Sequence, residues 1–319
     1  MVDNILFKNM IHEYKIFKYS LSLQDAKREG LLLQINQNSW GEIAPLPGWS
    51  EESLDQAFFQ LKRLLSDQES FSYDDCLPSV AFGIYSALEL CHHQMGKVQI
   101  SGLLSGSSKE VLKQAELLKK QGIKSAKLKL SPFEIKEAQS LLTDLKEDFF
   151  LRIDINRKWD LKKLRKCFSL FSSEDFDYIE EPTYEIEKLK EFPFPIAFDE
   201  SLRFLDLTQW KDSACLKAIV YKPTILGTSS KIKHKLIAMN RPITLSSSYE
   251  TGVGLFSILG LIHLKEMKTS PLLGVYPYFH LKEDLLTEPF YIEDGYICPP
   301  SKMSIKEDKL QLIYEGKRS

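Results

Sequence analysis

Six charged side chains recur through the middle of the chain, each at the end of an apolar run. They are three lysines and three carboxylates: Lys127, Lys129, Asp154, Glu180, Asp199 and Lys222. From the second of them onwards they lie 19 to 26 residues apart, which is about the length of one strand, one helix and two loops. A (β/α)8 barrel carries its catalytic residues at the carboxyl ends of its strands. The spacing therefore predicts six charged groups that point at a common site.

The three carboxylates suggest a metal site. Asp154, Glu180 and Asp199 offer hard oxygen ligands that suit Mg²⁺, which keeps positions open for water or substrate. One such acid alone is typical of a solvated loop or a helix cap, but three on successive βα units favour a shared ion. We predict Mg²⁺, with Mn²⁺ as an alternative. Glu181 and Glu200 are direct neighbours of these acids and should point to the opposite strand face.

The three lysines suggest proton transfer. Lys127 and Lys129 alternate with leucines, so both should lie on one strand face. An exposed edge strand gives the same pattern, but inside a barrel two like charges would be costly without anions to face them. Their repulsion would lower a lysine pKa and provide the neutral amine that a general base needs. Lys222 precedes Pro223 at a strand end, as either a surface lysine or a cation opposite Lys129.

The segment LSSSYETG, residues 245–252, is either a plain polar loop or a carboxylate site built from hydroxyl and N–H groups. The sequence contains neither a histidine metal-binding motif nor a dinucleotide-binding motif. The six histidines show no metal-ligating spacing, and no glycine-rich dinucleotide motif follows a strand.

Strands and helices alternate from Val98 onwards, which predicts an α/β fold with a parallel (β/α)8-type barrel over residues 97–280. The predicted strands are 98–104, 125–130, 150–155, 178–180, 196–198, 218–221, 243–245 and 273–276. The predicted helices are 109–121, 132–145, 161–171, 186–190, 205–211, 229–239 and 254–264.

The remaining residues predict a smaller α+β capping domain, formed by residues 1–96 and completed by a tail, 281–319. It has a strand at Leu31–Ile35, a helix that starts at Ser50 and a helix over Ser79–His92. Barrel sites need cover from water, so we expect the segments Pro45–Trp49 and Leu21–Gly30 to close over a substrate.

Composition limits the classes of function. The net charge of −2 without a basic block argues against nucleic-acid binding. Five scattered cysteines without a C-x-x-C pair indicate reduced thiols. The N-terminus lacks a signal-peptide layout, and the most apolar stretch, FSILGLIHL, is too short to cross a bilayer. We expect a cytoplasmic protein with a small-molecule substrate and neither a nucleic-acid nor a membrane partner.

The ordered set of motifs resembles the enolase superfamily and, within it, the o-succinylbenzoate synthases of menaquinone biosynthesis. The PLPG and PSVAFG segments point to that synthase branch. The matching motifs are WGEIAPLPGWS, LPSVAFGIYSAL, AKLKL, LRIDINRKW, IEEP, IAFDES, YKPTILG and LSSSYETGVG. With a match at Arg28 and Gly30, the resemblance extends from about residue 28 to residue 254, and the ordered set is far more specific than any one motif.

The resemblance implies an enolase-like barrel with a capping domain and Mg²⁺ bound by the three carboxylates. It implies Lys129 as base and then acid, Lys127 as its assistant and Lys222 over the developing enediolate. The product would be 2-succinylbenzoate, formed from 2-succinyl-6-hydroxy-2,4-cyclohexadiene-1-carboxylate by loss of water. The candidate substrate-binding residues are Arg152, Asn156, Ser246, Ser247 and Ser248.

Other reactions of the superfamily are alternatives. A mandelate-racemase-type site uses a histidine on strand seven, which ITLSSS lacks, and a dipeptide epimerase is expected to carry D-x-D near strand eight, which GVYPYF lacks. N-succinylamino acid racemization, or another epimerization that uses the same lysine pair, stays open. A catalytically inactive homologue is disfavoured, because nothing physical would then keep like charges converging inside a barrel.

Overall fold

An antiparallel sheet forms the N-terminal part of the molecule. In the computed structural model, which describes residues 11–23, 26–66, 71–90 and 95–317, it contains β1 (Glu13–Leu23), β2 (Ala26–Ile35) and β3 (Ser39–Ile43). The sheet order is β15-β1-β2-β3, where β15 (Gln311–Lys317) pairs antiparallel with β1. The C-terminal segment therefore returns to the N-terminal sheet.

Two helices accompany this sheet. Helix α1 (Leu54–Ser66) begins three residues later than expected from Ser50. The Ser53 hydroxyl accepts a hydrogen bond from the N–H of Gln56, whose side chain accepts from the N–H of Ser53, so Ser53 starts the helix. The Ser50 hydroxyl instead accepts from the N–H of Leu46. The expectation that Ser50 caps the helix was wrong, because Ser50 and Ser53 are both residues that favour the N-cap position and the sequence does not distinguish them.

Helix α2 (Pro78–Tyr85) continues into a π-helical turn, Ser86–Leu90. Proline at its first position fits the helix start, where no N–H is needed. The helix was predicted to reach His92, but residues 91–94 lie outside the described part of the chain.

Seven strands form one parallel sheet in the order β11-β10-β9-β8-β7-β6-β5. They are β5 (Gly102–Leu104), β6 (Ser125–Lys129), β7 (Phe150–Asp154), β8 (Phe176–Glu180), β9 (Ile196–Phe198), β10 (Leu216–Tyr221) and β11 (Ile243–Leu245). The barrel closes through β12 (Leu272–Leu273), which pairs parallel with β4 (Val98–Ile100), and through a bridge from Ser246 to Gly274. The predicted parallel α/β architecture is confirmed.

The predicted first strand is interrupted at Ser101. Its N–H donates to the carbonyl of Leu273, and its hydroxyl lies 3.0 Å from that of Ser125. Residues on either side of the break thus pair with different neighbours, and this is how the sheet curls closed.

Helices cover the outside of the barrel. They are α3 (Ser108–Lys120), α4 (Ile135–Lys146), α5 (Leu161–Phe168), α7 (Ser230–Ala238) and α8 (Gly252–Gly260). The short helix α6 (Pro223–Leu226) instead packs against α2 at the barrel mouth, where its Ile225 lines a cavity. The helices predicted near 186–190 and 205–211 are short 3₁₀ turns, Ile186–Glu191 and Leu207–Trp210. No described helix has the length and apolar character needed to span a membrane.

The segment after the barrel contacts both parts of the molecule. Strands β13 (Tyr291–Glu293) and β14 (Tyr296–Cys298) form a hairpin, and β14 pairs antiparallel with β4 at Val98 and Gln99. This hairpin packs at the amino-terminal end of a barrel strand before β15 reaches the small sheet.

Candidate active site

Neighbouring strands bring the charged groups to one end of the barrel. Across β6, β7 and β8, Lys129 pairs in register with Asp154, and Asp154 with Glu180. Glu180 lies beside Ala197, so Asp199 follows two residues beyond on the same face. The three carboxylates are at least 97% buried. The register of neighbouring strands therefore brings these side chains to the same end of the barrel.

Each carboxylate faces an ammonium group. The Nζ of Lys127 lies 2.9 Å from Oδ2 of Asp154 and 2.6 Å from Oε1 of Glu180. The Nζ of Lys129 lies 3.2 Å from Oδ2 of Asp154. Lys222 forms an ion pair with Asp199. Of the three lysine side chains, Lys129 is the most exposed, at 33% against 16% for Lys127 and 15% for Lys222, so it borders the open space.

The buried carboxylates differ in their proton affinity. Burial raises the pKa of Glu180 to about 8, and the charges of Asp154 and Asp199 add to this against the opposing effect of Lys127. Burial also acts to raise the pKa of Asp154, but the ammonium groups of Lys127 and Lys129 outweigh it and hold the pKa well below its usual range. Glu180 therefore binds a proton more readily than Asp154 does.

The pKa of Lys127 moves in the direction opposite to the expectation from sequence, whereas the pKa of Lys222 moves in the direction that favours the cation considered for it. Burial acts to lower the pKa of Lys127, but Asp154 and Glu180 raise it well above its usual value. For Lys222 burial likewise acts to lower the pKa, and Asp199 raises it. Repulsion between lysines is outweighed because more carboxylates than lysines face each ammonium group. Both side chains are therefore held as cations.

A cavity opens above these groups. On one side lie Leu46 and Trp49, from the proline-rich loop of the capping domain. The centroid of the Trp49 ring is 5.8 Å from the Nζ of Lys129 and 5.8 Å from that of Lys222. The other side is formed by residues that follow the seventh strand: Ser246, Ser247, Ser248 and Tyr249. The expectation that the loop 45–49 lies at the barrel mouth agrees with this placement.

The three serines differ in their contacts. The Ser246 hydroxyl donates to the carbonyl of Gly274 at 2.9 Å. The hydroxyls of Ser247 and Ser248 are buried and have no hydrogen-bond partner in the described structure. Two buried hydroxyl groups without a partner therefore belong to residues of one cavity wall.

Arg152 and Asn156 occupy different places. Arg152 lines the cavity two residues below Asp154; its Nε donates to Asp177 at 2.8 Å, and its guanidinium lies 4.9 Å from the Tyr178 ring centroid. The Asn156 carboxamide oxygen accepts from Nζ of Lys129 at 3.2 Å. The main-chain N–H of Asn156 donates to Oδ1 of Asp154 at 3.0 Å. Asn156 therefore holds a lysine and a carboxylate together.

The segment Leu21–Gly30 does not meet the expectation of a substrate cover. Residues 24 and 25 lie outside the described structure, and none of the described residues of this segment lines the cavity. Its arginine, Arg28, is 2% exposed and donates to main-chain carbonyls instead. The described residues of this segment thus lie outside the cavity, where Arg28 contacts the main chain of the cavity wall.

Sequence reasoning missed the role of Glu181. Its carboxylate accepts hydrogen bonds from the N–H groups of Asp199 at 2.7 Å and Ser201 at 2.9 Å, and from the Ser201 hydroxyl. Its backbone is left-handed, with φ 44°. Glu181 therefore fixes the segment that carries Asp199. The Glu-Glu-Pro doublet was the available signal, since the second acid had to point away from the first.

Two family profiles match the chain. The profile described as "MenC, N-terminal domain" matches residues 11–91, and "Enolase C-terminal domain-like" matches residues 110–304, more than half of the chain. The o-succinylbenzoate synthase of Haemophilus influenzae is 31% identical over 280 residues, covering 76% of this chain and 83% of the relative. The chain belongs to the o-succinylbenzoate synthase family of the enolase superfamily. As a member of this family it is an enzyme of the hydro-lyase type.

Further relatives agree with this family assignment. The o-succinylbenzoate synthase of Pasteurella multocida is 29% identical over 300 residues, covering 82% of this chain and 88% of the relative. The crystal structure of the o-succinylbenzoate synthase from Thermosynechococcus elongatus, with magnesium in its active site, superimposes with a TM-score of 0.68 at 21% identity, over 88% and 97% of the two chains.

Structures outside the o-succinylbenzoate synthase family share the fold. Muconate lactonizing enzyme gives a TM-score of 0.75 at 16% identity, over 94% of this chain and 98% of its own. The expected enolase-like architecture is confirmed by these likenesses, which at such identities concern the fold alone.

Proposed function

We propose that the chain catalyses the Mg²⁺-dependent conversion of 2-succinyl-6-hydroxy-2,4-cyclohexadiene-1-carboxylate to 2-succinylbenzoate and water, in menaquinone biosynthesis. The observation that carries the proposal is the pair of lysines that flank the Trp49 ring, beside three buried carboxylates. A base on one side and a fixed cation on the other suit removal of a proton next to a carboxylate.

Asp154, Glu180 and Asp199 would hold the cation. Their oxygens are the donors that Mg²⁺ prefers, and Oε2 of Glu180 is buried without a hydrogen-bond partner in the described structure. As the side chains stand, no three described Asp, Glu, His or Cys residues surround one point closely enough to ligate a metal ion. Lysine ammonium groups contact these acids instead. Cation binding would therefore replace part of these ion pairs. The bound cation would act as a Lewis acid toward the substrate carboxylate.

Lys129 would be the base. Its side chain borders the cavity, and Asn156 orients its amine. The amine would take the proton from the ring carbon that bears the carboxylate, and the electrons of that C–H bond would enter the ring. It would then return the proton to the hydroxide that leaves, so that water is released and the ring becomes aromatic.

The other residues would bind and orient the substrate. Lys222, held as a cation, would stabilise negative charge on the face opposite Lys129, and Lys127 would assist the base. The free hydroxyls of Ser247 and Ser248 would receive a substrate carboxylate, with Ser246 fixing the loop. Arg152 would contribute positive charge from the cavity floor.

The test is the ultraviolet change that accompanies aromatisation, followed with Mg²⁺ and with EDTA. Wild type should react only with metal. Lys129→Ala should lose at least about a hundredfold in kcat, since general base catalysis typically contributes ~10²–10⁴-fold. Lys119→Ala, on an exposed helix surface, is the matched control. Activity of Lys129→Ala within tenfold of wild type would refute the assignment. Racemization of an N-succinylamino acid without dehydration would favour the alternative function.

A further inference from the structure

Arg28 is a buried guanidinium that contacts both walls of the cavity from behind. Its Nε donates to the carbonyl of Tyr249 at 3.0 Å, its Nη1 to that of Pro45 at 2.9 Å and its Nη2 to that of Ser248 at 3.3 Å. Nη2 also donates to the carbonyl of Ala44. Among the described residues, no carboxylate lies within ion-pairing distance of Arg28. The side chain is therefore committed to main-chain groups.

These carbonyls belong to two separate loops. Ala44 and Pro45 lead directly into the loop whose Leu46 and Trp49 line the cavity. The other two carbonyls, of Ser248 and Tyr249, belong to the opposite wall. One planar group thus contacts the main chain of both walls.

The second wall contains a strained turn. Tyr249 adopts a left-handed backbone with φ 63°, a conformation that a residue other than glycine keeps only where its surroundings impose it. Arg28 holds the carbonyl of this residue and that of the residue before it. On the N–H side, Glu250 accepts from the N–H of Ser248, and Glu42 of the capping domain accepts from the N–H groups of Thr251 and Gly254.

We propose that Arg28 is a positioning residue that sets the width of the substrate cavity. It holds the Trp49 loop and the Ser247–Tyr249 turn at a fixed separation, and so determines how tightly the free serine hydroxyls meet a substrate carboxylate. This rests on the proposed function, because that reaction supplies the dicarboxylate substrate. Arg28 touches neither the lysines nor the three carboxylates of the site, so it acts on binding rather than on proton transfer.

Lysine cannot replace this arrangement. A guanidinium presents five N–H groups in a rigid plane, whereas an ammonium offers three on a flexible stem. Arg28→Lys keeps the charge but loses the simultaneous hold on both loops. We expect KM for the substrate, and Kd for 2-succinylbenzoate, to rise at least tenfold, while kcat stays within about threefold and Mn²⁺ affinity is unchanged.

The experiment compares wild type, Arg28→Lys, Arg28→Gln and the matched control Arg241→Lys. Arg241 also donates to two main-chain carbonyls, of Lys211 and Ser213, but at the opposite end of the barrel strands. The measurements are kcat, KM, calorimetric binding of 2-succinylbenzoate and of Mn²⁺, and a melting curve. Arg28→Gln keeps two N–H donors but removes the charge. The same measurements are made on this variant if Arg28→Lys cannot be purified.

A second readout separates positioning from general stability. Trp49→Ala should raise KM less in an Arg28 variant than in wild type, because the loop it belongs to has already been released. Independent effects on KM would overturn the proposal, and so would unchanged KM in Arg28→Lys or a fall in kcat with KM unchanged. If wild type and Arg241→Lys do not convert the substrate, the proposed function fails. If both convert it and Arg28→Lys equals them, the role of Arg28 alone fails.

Discussion

Glu181→Ala tests whether the segment that carries Asp199 depends on a neighbouring carboxylate. The Glu181 side chain is fully buried, and its oxygens accept from two main-chain N–H groups and one hydroxyl. Alanine removes all three acceptors and leaves the N–H groups of Asp199 and Ser201 buried without partners. Asp199 then loses the hydrogen bond that orients its backbone.

The magnitude follows from counting these groups. An unsatisfied buried donor costs about 1–3 kcal/mol, so two of them predict a loss of roughly 2–6 kcal/mol in the free energy of unfolding. Glu181→Gln should cost less than about 1 kcal/mol, because the amide oxygen accepts both N–H bonds and the amide nitrogen donates to the Ser201 hydroxyl. Burial raises the pKa of Glu181 to about 8, so the surroundings of this side chain favour a neutral group, which glutamine provides.

Urea unfolding and calorimetric titration with Mn²⁺ measure the two consequences. We expect Glu181→Ala to lower the free energy of unfolding and to weaken Mn²⁺ binding at least tenfold, and Glu181→Gln to stay close to wild type in both. Glu185→Ala is the matched control, since Glu185 also accepts a main-chain N–H, at the start of a surface helix. Wild-type Mn²⁺ affinity in Glu181→Ala, or equal damage from alanine and glutamine, would refute the reasoning.

Three further predictions concern the lysines, the covering loop and pH. Lys222→Ala should lower kcat at least about a hundredfold, and Lys222→Arg should recover much of it if only a positive charge is needed; an equally inactive arginine variant would indicate proton transfer by Lys222. Trp49→Ala should raise KM and lower kcat without changing the melting temperature, and unchanged kinetics would remove the loop from the site. In EDTA, the raised pKa of Glu180 and Glu181, about 8 for each, contributes stability that is fully present below the ordinary pKa near ~4.3 and is lost as pH rises through 8. The urea midpoint should therefore fall between pH 5 and pH 8, less steeply in Glu181→Gln, and a flat profile would contradict the burial of these acids.

The barrel and its charged groups could be predicted because their signals are local. Alternating apolar runs mark the strands, and a charged residue ends each run, so strand register alone brings Lys129, Asp154 and Glu180 together. The helices around 186 and 205 were overestimated. Short segments with 3.6-residue spacing do not distinguish an α-helix from a 3₁₀ turn.

Contacts between distant segments could not be predicted in the same way. Arg28 reaches Tyr249, and Glu42 reaches Thr251, across more than two hundred positions of sequence. No periodic pattern links such residues. The pKa shift of Lys127 was expected in the wrong direction, because its neighbours on the strand can be read from the sequence but the carboxylates that it faces cannot.

The pairing of β1 with β15 has a consequence for the order in which the molecule is built. Glu13 lies opposite Lys317 in this ladder, so during synthesis the first strand leaves the ribosome long before its partner exists. Domains generally fold in the order of their synthesis, but here β1 lacks its neighbour on one side until β15 has been translated. Such a pairing of high contact order makes a slow late step in folding. The barrel can therefore be assembled while the sheet that supports its cover is still incomplete, and the nascent chain carries an unpaired strand edge throughout that interval.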